Sequence, residues 1–142
     1  MTRTHHALVL LFGIGCHSPV PAKSPTLSRI ALSATVPLAN RGSLKAKLLE
    51  VTYGPGESSA PHSHPCPVIV YVIAGMLRTQ VRGEPEAVYG AGEGFYEAAG
   101  GIHTISANAS GEQPARFVAV FLCDRDTTLS VAAPVSVVSP HD

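Results

Sequence analysis

Three of the seven histidines in this chain stand in settings where imidazole can do chemistry. His62 and His64 flank Ser63. Residues two apart in a strand project from the same face, so both rings can approach one divalent ion. The pair alone is a weak signal, and its surroundings strengthen it. Gly54-Pro55-Gly56 lies just upstream, Gly75 follows the next apolar run, and a third histidine, His103, opens a later run behind Gly100-Gly101. His5, His6, His17 and His141 lack such a setting and read as surface or structural residues.

Other reactive types near the pair are weaker candidates. Cys66 is close enough to supply a thiolate, but Pro65 and Pro67 constrain its backbone. Cys66 and Cys123 can pair in an oxidising compartment. Nothing in the sequence requires it, so both are expected to be unpaired. Tyr53, Tyr71 and Phe95 either wall a pocket or pack in the core. Arg78, Gln80 and Arg82 alternate with Leu77, Thr79 and Val81, the pattern of a strand with one solvated face. Asn108-Ala109-Ser110 matches a glycosylation triplet and is assigned no role.

These side chains must be held by strands. Short β-branched and apolar runs at Arg29–Val36, Leu44–Tyr53, Val68–Ile73, Leu77–Val81, Ile102–Ala107 and Arg116–Cys123 are separated by turn chemistry. The turns are Gly54-Pro55-Gly56, Arg82-Gly83-Glu84-Pro85, Gly90-Ala91-Gly92 and Gly100-Gly101. Six short strands so spaced predict an all-β sandwich or barrel. Val68–Ile73 is apolar on both alternating faces, so something beyond the core should cover it; a second subunit, giving a homodimer, is one candidate. A chain of 142 residues with 45% hydrophobic and 14% charged residues fits one compact domain. Ten basic residues balance ten acidic ones, which argues against a nucleic-acid partner.

The first residues read as an export signal. Arg3 precedes an apolar run, Ala7 to Gly15, that is too short to span a bilayer and stops at Cys16. Gly13-Ile14-Gly15-Cys16 resembles a bacterial lipobox. The expected organisation is therefore a signal segment at 1–15, lipidation at Cys16, a proline-rich spacer at 16–27, a β-barrel domain at 28–135 and a tail at 136–142. That places the chain in the periplasm or on the cell envelope, touching membrane only through a lipid anchor.

Two stretches carry a family resemblance. Gly56-Glu57-Ser58-Ser59-Ala60-Pro61-His62-Ser63-His64 followed by Gly75 resembles the first cupin motif, and Gly92 through His103 resembles the second. The resemblance covers roughly Leu44 to Cys123. It implies a single jelly-roll β-barrel with His62, His64 and His103 holding one divalent metal. The first motif usually supplies a glutamate where this chain has Val68, and Glu97 is the candidate fourth ligand in its place. Such ligands suit Fe, Mn, Ni, Cu or Zn without choosing among them. Two functions stay open: metal-dependent oxidation, isomerisation or elimination on a small molecule, with Glu97 and Tyr96 as the nearby titratable groups, or a non-catalytic module that binds or senses a small ligand or metal.

Overall fold

The computed structural model describes residues 26–39 and 42–134. The signal segment, Cys16, nearly all of the spacer, the 136–142 tail and His5, His6, His17 and His141 lie outside the described residues. Within them every helix-or-strand element is a strand: β1 (Leu27–Pro37), β2 (Ser43–Tyr53), β3 (His62–Ser63), β4 (Val68–Ala74), β5 (Met76–Val81), β6 (Ala87–Gly90), β7 (Gly94–Glu97), β8 (Ile102–Asn108), β9 (Ala115–Cys123) and β10 (Val131–Ala132). All six expected runs are strands, and β3, β6, β7 and β10 are additional.

The strands form two antiparallel five-stranded sheets, ordered β1-β2-β9-β4-β7 and β10-β3-β8-β5-β6. Strict alternation sets which side chains face inward. In β4, Val68, Val70 and Val72 are buried while Ile69, Tyr71 and Ile73 are exposed. In β9, Ala115, Phe117, Ala119, Phe121 and Cys123 are buried. Together with Tyr53 and Leu77 these residues make the core between the sheets.

Each of the four expected turns contains a glycine at positive φ, and a fifth, Gly75, joins β4 to β5. At Gly75 the requirement is double. Its φ of 74° disfavours any Cβ, and a Cβ there would meet the Pro114 carbonyl oxygen at 2.5 Å. Asn108 is buried, donates to the carbonyls of Gly54 (2.9 Å) and Gln113 (2.7 Å), and accepts from the Ser110 amide. Its side chain ties two loops together and is not available as a glycosylation site.

Cys66 and Cys123 are joined in a disulfide, which corrects the expectation of free thiols. The cause is strand register. Val68 pairs with Phe121, the Leu122 amide donates to the Pro67 carbonyl, and continuing that ladder brings Cys66 opposite Cys123 with Cα atoms 5.1 Å apart. This also removes Cys66 as a thiolate ligand.

Candidate metal centre

The site is built from two strand pairs, one in each sheet. In the β3–β8 ladder His62 lies directly opposite His103, so their rings stack with centroids 5.4 Å apart. His64 follows β3 immediately, and its ring centroid is 4.8 Å from that of His62 and 5.3 Å from that of His103. In the β4–β7 ladder Val68 lies directly opposite Glu97. Cross-strand partners share a face with Cβ atoms about 5 Å apart. A carboxylate missing from position 68 is thus supplied from the adjacent strand at the same level, and Glu97 is buried there.

One oxygen of Glu97 lies 3.5 Å from His64 Nε2 and 3.6 Å from His103 Nε2. The ligand atoms of His64, Glu97 and His103 all lie within 4.8 Å of one another. His62 stands beside this tight group and does not belong to it.

Hydrogen bonds fix which nitrogens point inward. His64 Nδ1 donates to the Leu129 carbonyl (2.5 Å) and His62 Nδ1 donates to the Ala60 carbonyl (2.8 Å). In the neutral tautomer this leaves each Nε2 with a bare lone pair. His103 Nε2 is buried and has no hydrogen-bond partner. Burial, reinforced by the neighbouring His64 and His62, lowers His103 to about 4. Burial also lowers His64, against the opposing pull of the Leu129 carbonyl and with a smaller contribution from His62. Burial pushes the Glu97 carboxyl up to about 7.

The bare Nε2 of His64, the unpartnered Nε2 of His103 and the Glu97 carboxylate therefore face one point. Acceptors so arranged repel unless a cation sits among them, and an unpartnered buried nitrogen costs about 1–3 kcal/mol. The donor set fits a divalent transition metal: borderline nitrogen ligands, one hard oxygen, and backbone carbonyls orienting the rings from behind.

The site opens on a cavity of about 410 Å³ between the sheets, lined by His62, His64 and Glu97 at this end. Phe121 packs edge-on against His64 (5.1 Å), and Tyr53 packs against Phe117 (5.3 Å). Tyr53 thus lines the cavity and packs in the core, so both readings for it hold. Tyr71 is instead exposed on the outer face of its sheet. Phe95 stacks on Tyr89 (4.4 Å), where a smaller cavity of about 170 Å³ reaches the other side of Glu97 and His103. Tyr96 is 66% exposed, which leaves Glu97, of these two, as the one buried at the site. Sequence reasoning missed the cavity's Leu129 and Ser130. Leu129 holds His64 from a segment 65 residues away, and no local signal marks it.

The cupin domain family model matches residues 49–121, just over half of the chain. No curated protein matches significantly. Similar solved structures share the fold at low identity. KdgF from Halomonas sp. is 19% identical with a TM-score of 0.56, over 71% of this chain and 81% of that one. A recombinant oxalate oxidase in complex with glycolate is 21% identical with a TM-score of 0.56, over 75% and 54%. The DMSP lyase DddQ from Ruegeria pomeroyi is 21% identical with a TM-score of 0.54, over 61% and 42%, so this chain spans less than half of that enzyme's length.

Proposed function

We propose, from the premise that this chain belongs to the cupin domain family, that it is an exported barrel binding one divalent metal through His64, His103, Glu97 and His62, and that the metal receives a small molecule from the cavity. The observation that carries this reading is the buried, unpartnered Nε2 of His103 facing His64 and Glu97. A bound divalent ion supplies Lewis acidity toward an oxygen-bearing ligand. Glu97 balances its charge, the carbonyls of Leu129 and Ala60 hold the rings, and the surrounding apolar wall excludes water.

Two activities remain attached to this site, and the role of Glu97 separates them. As a ligand, Glu97 has no free proton to move; no other acid lines the large cavity among the described residues, and the module binds without turnover. As a free group, its pKa of about 7 suits a general base near neutrality, which favours the enzyme.

Metal content measured by atomic emission in untagged protein decides between them. Wild type should hold about one equivalent, and Glu97→Gln should weaken retention against a chelator by about tenfold or more if Glu97 is a ligand. Val68→Glu/Glu97→Val should recover part of that loss, because positions 68 and 97 share a face. Undiminished metal in Glu97→Gln would support the general-base role. Metal-free wild type, with no gain on soaking, would overturn the centre itself.

Export is supported by the Cys66–Cys123 disulfide, since such bonds persist in oxidising compartments. Cys16→Ala protein should leave the membrane fraction that the full chain occupies. Equal partitioning of both would refute the lipid anchor.

A further inference from the structure

The large cavity has a direction. Its metal end lies beside Phe121, and its far end lies beside Tyr53 and Phe117. Phe121 and Phe117 are four residues apart on the same face of β9, which makes the distance between the two ends about 13 Å. Between them the wall is Leu49, Val51, Val70, Leu77 and Ala119. The Tyr53 and Ser106 hydroxyls at the far end already pair with each other at 3.1 Å. Thr26, Ser28, Ser59 and Ser130 add uncharged hydroxyls, and among the described lining residues there is no lysine or arginine.

Charge limits what can enter. A divalent ion with the Glu97 carboxylate leaves one positive charge, enough for one anionic head. A second carboxylate would have to be buried along the apolar wall without a cation, which is strongly unfavourable. An apolar body placed there gains instead from leaving water.

We infer that the cavity takes a single-headed amphiphile: one carboxylate-like head at the His64–Glu97–His103 end and an apolar tail lying along β9 toward Tyr53 and Phe117. This rests on the metal-centre reading above and adds the ligand class to it.

The test is calorimetric titration of zinc-loaded wild-type protein with acetate, octanoate and octanedioate, with zinc content measured on the same samples. Octanoate should bind about tenfold or more tighter than acetate, through its tail, and about tenfold or more tighter than octanedioate, whose second carboxylate must lie along a wall without a cation and end at hydroxyls that already pair with each other. Ala119→Leu, which narrows the middle of the path, should bring octanoate down to the acetate level with zinc retained. Octanoate no tighter than acetate, or octanedioate equal to octanoate, with zinc in place, would overturn this inference and leave the metal centre standing. Protein that holds no zinc would overturn the metal centre, and the ligand assignment with it.

Discussion

Burial drives Glu97 and His103 in opposite directions, and the consequences for pH dependence differ in sign. In the metal-free protein Glu97 titrates near 7 against an ordinary 4.5, so its contribution to stability is complete at low pH and declines as pH rises from 4.5 through about 7. His103 titrates near 4 against an ordinary 6.5, so its contribution is complete above 6.5 and declines as pH falls through about 4. Between 4.5 and 6.5 the folded state carries the Glu97 proton and the unfolded state the His103 proton, and these two slopes cancel. Metal breaks the symmetry, because a dication displaces the proton on Glu97, whereas His103 has already lost its own at that pH. Zinc binding near pH 6 should therefore release about one proton more from the wild type than from Glu97→Gln, and the wild-type affinity should gain more with rising pH up to about 7. Calorimetry in two buffers of different ionisation enthalpy counts that proton. Equal counts in the two proteins at that pH would mean that Glu97 stays protonated beside the ion and is not a ligand.

At the scale of elements, two registers made the site, and neither was legible before the strands were paired. The six long strands could be read because each carries enough residues for alternation to show, and the His62-Ser63-His64 spacing with His103 was readable as a metal motif. The remaining strands are two to four residues long, too short for any period to emerge. Glu97 could be named from the sequence as a replacement for the carboxylate lost at Val68, but its direction could not. The β4–β7 register, placing the two residues opposite each other, supplies it. The disulfide is the same lesson with the opposite outcome. Cys66 sits in a proline-bounded turn and Cys123 ends a strand, so nothing local pairs them, whereas the β4–β9 ladder extended by the Leu122–Pro67 hydrogen bond does. The disulfide also anchors the chain two residues beyond His64, while Leu129 holds the ring itself from the segment leading into β10, the strand paired with β3. The position of His64 is therefore fixed by contacts remote in sequence on both sides.

At the scale of the whole molecule, the outer face of the sheet that carries β4 is unusual for a protein surface. Leu32, Leu48, Val120, Ile69 and Tyr96 form one cross-strand row through all five strands, and Tyr71 extends it beside Ile69 and Val118. Ile69 is 48%, Tyr71 53% and Tyr96 66% exposed. Next to this row Glu50 is held between Arg29 (2.5 Å) and Arg116 (2.6 Å), giving an apolar centre with a charged margin, the anatomy of a protein interface. The occupant we propose is a second copy of the chain. A two-fold axis through the row would place like apolar residues against one another and keep each Arg29–Glu50–Arg116 cluster at the rim, as an isologous contact requires. Light scattering behind size exclusion should give twice the chain mass at micromolar concentration for the wild type. Ile69→Lys buries an unpaired charge at the centre of that contact and should give the single-chain mass, while metal content, set on the opposite face of β4, stays unchanged. A wild type that runs at the single-chain mass across that concentration range would show that the row is covered by something other than its own copy.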